Sequence, residues 1–162
     1  MRVEKVSNHA AYDSVIVGYC RLGDFLALKN TRSNHLQMDI KKELVQRSLD
    51  SPTTEICHFI CQNDKGFYLV EGKNKSGQPR QIFFIPAIDF LHVKNNHKLV
   101  AIFHNHAKGM AVLSQWDKST ADNICYPMVV FSNTQKKFGF YTPQYCDTDV
   151  KDIERLKEVL ND

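Results

Sequence analysis

Two histidines one residue apart, His104 and His106, close the apolar run LVAIF, and Ser114 and Asp117 follow three apart. If that run is a strand, side chains at i and i+2 point to one side, and two imidazoles can meet at a single ion. Zinc takes histidine nitrogens and carboxylate oxygens, and a catalytic zinc keeps its fourth position for water. Asp117 is the natural third ligand. It shares a face with Ser114 across one turn of a helix, and an acid is stabilised at that positive helix end. Ser114 can either cap the helix or aim its hydroxyl into the site; the two roles need different side-chain directions and compete.

Hydrolysis at such a metal needs a general base close to the attacking water. Glu55, just ahead of the apolar run ICHFIC, is the acid that the end of a neighbouring strand would carry. Taken singly these features are ordinary. His-x-His also occurs on solvated strand ends, Ser-x-x-Asp is a common helix start, and Glu55 alone reads as a solvated strand end. Together and in this order they specify a metal-dependent hydrolase, provided the elements carrying them are the ones the chemistry requires.

Those elements are legible in part. Residues 38–52, MDIKKELVQRSLDSP, predict a helix with Ile40, Leu44, Val45 and Leu49 on one face, Asp39 as its cap and Pro52 just past its end. EICHFICQN, GFYLVEGK and QIFFIP predict strands, with GKNKSGQP as the polar turn between the last two. A short helix over Ala87 to Val93, the buried strand KLVAIFHNH and a helix from Ser114 to about Asn123 follow. YPMVVFS and KKFGFYT predict a hairpin around NTQK. The tail carries Val150, Ile153, Leu156 and Leu160 at helical spacing, a terminal helix over 148–161 docked on the domain. Residues 1–36, with VIVGYC and DFLALK around RLGD, predict an extension of strands packed on the core. Residues 37–162 form one α/β domain, a mixed sheet flanked by helices.

Composition bounds the partners. A chain of 162 residues suits one domain with a real core. A net charge of +3, with both signs interleaved, argues against nucleic acid. No apolar run approaches the ~20 residues that span a bilayer, and DSVIVGYC lacks the features of a signal peptide. Five cysteines in no repeated pattern read as reduced thiols in a cytoplasmic protein. Cys57 and Cys61 lack a second pair for a structural zinc and read as buried small hydrophobes.

The spaced His104, His106, Ser114 and Asp117 resemble the signature of the JAMM (MPN+) zinc metalloproteases, His-x-His-Pro, a six-residue spacer, then Ser-x-x-Asp, with a glutamate upstream. PTTEICHFI resembles the bacterial version of the glutamate-bearing strand, with Glu55 in the glutamate place and Cys57 in the cysteine place. GKNKSGQPRQIFFIPAIDFLHV resembles the family's middle segment, so the likeness runs from about Met38 to Thr142. Two positions depart from the pattern. Ala107 stands where proline is usual, which loosens the turn after the metal strand. His58 stands where glycine is usual, and either narrows the substrate groove or turns away from it.

The resemblance implies the cytidine-deaminase-like JAMM architecture and one zinc per chain, held by His104, His106 and Asp117 with a water completing the tetrahedron. It implies that Glu55 takes a proton from that water and passes it to the leaving amine, and that Ser114 hydrogen-bonds the oxyanion. The implied substrate is a ubiquitin-like protein or its conjugate, cut at the C-terminal tail. Bacterial relatives of this kind occur in antiphage conjugation operons beside activating and conjugating enzymes. The alternatives within the family are a phage tail-assembly endopeptidase and a sulfur-carrier processing peptidase. A non-catalytic module that binds a ubiquitin-like protein is the alternative from another class.

Overall fold

In a computed structural model of the protein, residues 39–74 and 85–162 are described. The expected strands in residues 1–36, most of the GKNKSGQP turn and the QIFF strand lie outside them. The described chain runs α1 (Ile40–Leu49), β1 (Cys57–Asn63), β2 (Gly66–Gly72), α2 (Ala87–Asn96), β3 (Lys98–His106), α3 (Gln115–Ile124), β4 (Met128–Ser132), β5 (Lys137–Tyr141) and α4 (Val150–Asn161). The strands form one sheet in the order β2-β1-β3-β4-β5. Only β3 and β4 pair in parallel, joined by a crossover through α3, so the sheet is mixed.

Alternation along the strands builds two cores. On one face, Phe59, Val70, Ile102, Met128 and Val130 pack under Phe90 and Val93 of α2 and Ala121 and Ile124 of α3. On the other, Ile60, Leu69, Phe103, Val129 and Phe131 pack under Ile40 and Leu44 of α1 and Leu156 and Leu160 of α4. The result is a sheet between two layers of helices, as the element order predicts. Cys57 and Cys61 are fully buried in the first core and form no disulfide, the role expected of them. Among the described residues no helix is long and apolar enough to cross a membrane.

Asp39 caps α1 as expected, its carboxylate accepting the Lys42 amide at 3.1 Å. Two residues expected on buried helix faces are exposed instead, Leu49 at 38% and Val150 at 70%. In the last turn of α1 the inward place belongs to Ser48, whose hydroxyl donates to the Leu44 carbonyl at 2.7 Å and so satisfies itself within the helix. Val150 is the first residue of α4, ahead of the buried stripe Ile153, Leu156 and Leu160.

His58 turns away from the site. It follows Cys57 on β1, so it points to the α1/α4 face, where its ring lies parallel to that of its cross-strand partner Phe103. Both ring nitrogens are buried with no hydrogen-bond partner. Burial, helped by the Arg47 cation, pushes its pKa down from 6.5 to about 3. The unfolded chain therefore takes up a proton at a pH where the folded chain refuses it. Stability from this group is complete above pH 6.5 and falls as the pH drops toward 3. His58→Phe, which keeps the ring and removes the unpaired nitrogens, should stabilise the protein by about 1 kcal/mol at neutral pH and by more at pH 5. Urea unfolding at both values checks this; an equal gain at both would rule out the linkage.

Candidate metal centre

The end of β3 and the start of α3 meet on the α2/α3 side of the sheet. Antiparallel pairing sets Cys57 opposite His104, and the Asn105 amide donates to the Ile56 carbonyl at 3.3 Å, which carries the pairing one step further. Continued in that register, Glu55 falls opposite His106 on the same face as both histidines. Glu55 lies two residues before β1, in the approach to the strand rather than within it.

His104 Nε2 stands 3.1 Å from His106 Nε2 and 3.4 Å from Asp117 Oδ2, and His106 Nε2 stands 3.8 Å from that oxygen. Three electron-pair donors thus form a small triangle, buried except for part of His106. A tetrahedral ion with bonds of ~2.0–2.1 Å needs donor-to-donor edges of roughly 3.3 Å. The triangle matches that size, so the residues present fit a zinc-like cation. These three form the potential metal group found among the described residues.

Local structure fixes each donor. His106 Nδ1 lies 2.7 Å from the Met110 carbonyl, and donating to it leaves Nε2 as the free lone pair facing the triangle. The loop bearing Met110 is held in turn, because the Ser132 and Thr134 hydroxyls both donate to the Gly109 carbonyl, at 2.6 and 3.1 Å. Further on it runs against β5 so closely that a Cβ at Gly139 would collide with the Ala111 carbonyl. Ala107 is buried at the head of this loop.

Ser114 and Asp117 form a capping box. Ser114 Oγ accepts the Asp117 amide at 3.1 Å, and Asp117 Oδ2 accepts the Ser114 amide at 3.0 Å. Ser114 is therefore the helix cap, and the competition between its roles is resolved by donor and acceptor. One lone pair serves the helix, while the exposed hydroxyl keeps its proton to donate outward.

Charges divide sharply here. Burial opposes ionisation of Asp117, but the nearby His104, the close approach of both imidazoles and the Ser114 amide outweigh it and hold the carboxyl well below its usual range. His106 is raised despite burial, through Asp117, the Met110 carbonyl and Glu55. Burial pushes Glu55 up to about 8, with His106 pulling it back and Asp117 adding to the rise. Two neighbouring acids are thus driven in opposite directions, the pattern of a permanent anion beside a proton carrier.

The pattern of chemistry-bearing residues missed the asparagines that place Glu55. Asn105, between the two histidines, points to the opposite face, and its Oδ1 accepts the Ile56 amide at 2.6 Å. Its Nδ2 lies 3.3 Å from Asn133 Oδ1, and Asn133 donates to the Ser48 carbonyl at 2.8 Å. From the other side, Asn74 donates to the Glu55 carbonyl at 2.9 Å. The available signal was the alternation itself: a polar residue between two ligands on a buried strand must face the other core and needs partners there. Asn105→Leu should cost about 1–3 kcal/mol of stability by stranding the Ile56 amide. Urea denaturation of the variant beside the parent checks this; unchanged stability would mean that the Asn105 clamp does not hold the chain at Glu55.

No protein-family model matches the chain, and no curated protein matches it.

Proposed function

We propose that the chain is a JAMM-type zinc (iso)peptidase that removes or processes a ubiquitin-like protein at its C-terminal tail. The observation that carries the reading is the His104, His106 and Asp117 triangle of tetrahedral size, with a buried Glu55 whose pKa is raised and which feels the charges of His106 and Asp117. Zinc, when bound, supplies a Lewis acid and lowers the pKa of water toward ~7.

The chain's own residues supply the rest. Glu55 holds a proton readily because it is buried, and positive charge at the triangle draws it back toward ionisation. It can therefore accept a proton from the attacking water and return it to the leaving amine within one turnover. The Ser114 hydroxyl donates to the oxyanion as it develops, a contact whose loss costs on the order of 3 kcal/mol in the barrier. Met110, Val112 and Ser114 are exposed at alternate positions while Ala111 and Leu113 are buried in the loop that leads to the site. A peptide tail can lie along this loop, with Met110, Val112 and the exposed Trp116 as its apolar rim.

A bacterial antiphage conjugation system, with its activating and conjugating enzymes, is the setting proposed with this activity, and it rests on the sequence resemblance. The test is a ubiquitin-like domain ending in a flexible glycine tail fused to a reporter protein. The expected result is cleavage at the tail that stops with a zinc chelator and returns with added zinc. Tail binding without cleavage would replace the enzyme with a binding module.

A further inference from the structure

At the far end of α3 from Asp117, a backbone hydrogen bond brings together the chain at two partly exposed cysteines. Cys125 is the C-cap of α3, and its carbonyl accepts the Asp147 amide at 2.7 Å. Given ordinary peptide geometry, that bond holds the α-carbons of Cys125 and Cys146 roughly 4–6 Å apart. A disulfide needs α-carbons about 4.4–6.8 Å apart, a range that this spacing meets. We infer that Cys125 and Cys146 are a disulfide-forming pair, closed by exchange with a low-molecular-weight disulfide of the glutathione type.

Two further observations support the pair. Cys125 has φ 63°, the left-handed C-cap conformation that ordinarily favours glycine, yet the position carries a thiol. Cys125 Sγ now rests 3.7 Å from the Asp122 carbonyl, a weak contact that side-chain rotation gives up. Cys57 and Cys61 offer no alternative, because they are sealed in the core four residues apart on one strand.

The exchange balances in two steps. One thiolate attacks the disulfide reagent, forming a mixed disulfide and releasing one reagent thiol. The second cysteine then attacks the protein-side sulfur, closing the Cys125–Cys146 bond and releasing the other reagent thiol. The protein loses two electrons and two protons, and the reagent gains them. The bridge encloses β4 and β5 and ties the C-terminus of α3, whose N-terminus carries Asp117, to the segment entering α4.

The test uses the full chain incubated with oxidised glutathione, acid-quenched and measured by intact mass and non-reduced peptide mapping. The expected result is loss of two hydrogens and a linked peptide joining Cys125 to Cys146. Cys125→Ser and Cys146→Ser should each stop at a glutathione adduct on the remaining thiol. A wild-type chain that carries glutathione at both positions, stays unmodified or links a different pair would overturn the inference.

Discussion

Asp117→Ala should empty the metal centre. The parent should carry about one zinc per chain by elemental analysis, and the variant almost none after the same exposure to zinc. The carboxylate supplies one of three donors and most of the negative charge that makes the triangle attractive to a cation. Changing groups that merely support a ligand typically costs 10–100-fold in metal affinity, so losing the ligand itself should cost more than that. The substitution also removes half of the capping box, worth about 1 kcal/mol to α3. Asp117→Asn separates the two effects, since it keeps a cap acceptor of the same shape and removes the charge. Both variants should lose zinc, with Asp117→Asn losing less stability. Full zinc occupancy in either would mean that the triangle is a hydrogen-bonded core cluster, and the proposed hydrolase would go with it.

The division between what the sequence disclosed and what it hid follows from the range of the interactions. His104, His106 and Asp117 were legible because a strand period and a helix turn convert their spacing into shared faces. Glu55 was legible as a residue type at a strand approach, but its position opposite His106 depends on the register of β1 against β3. That pairing joins residues far apart in the chain, and no local pattern encodes it. Asn105, Asn74 and the Met110 carbonyl were hidden for the same reason. Each acts through a partner chosen by the tertiary fold, and a backbone carbonyl leaves no trace in residue identity.

Helix existence was easier to read than helix facing. Leu49 and Val150 fit the apolar period of their helices, yet each lies at a helix end. Periodicity assigns a side of the helix; it does not say how far along the axis the neighbouring layer extends. His58 shows the opposite limit. Alternation along β1 settles its direction once Cys57 is placed, so it points away from the histidines and adds an acid-sensitive group to the second core.

Glu55→Gln should abolish hydrolysis and leave zinc in place. Glutamine keeps the size and the polar contacts of the side chain but cannot carry the proton, and general-base loss is worth about 10²–10⁴ in rate. Misfolding is the usual rival explanation for a dead variant, and the sign of the pKa shift predicts the opposite, a gain in stability. In the metal-free protein the folded state raises Glu55 to about 8 from 4.5, so it binds a proton more tightly than the unfolded chain does. Between those values stability falls as the pH rises, because folding forces an ionised carboxylate into a buried place. Glutamine removes that cost, so metal-free Glu55→Gln should be at least as stable as the parent at pH 8, with its advantage shrinking toward pH 4.5. Denaturation across that range, zinc content and cleavage of the ubiquitin-like fusion make one experiment of three readings. A stable, zinc-loaded and inactive protein would assign the proton transfer to Glu55. A stable, zinc-loaded protein that still cuts would leave the metal site standing and remove Glu55 from the chemistry.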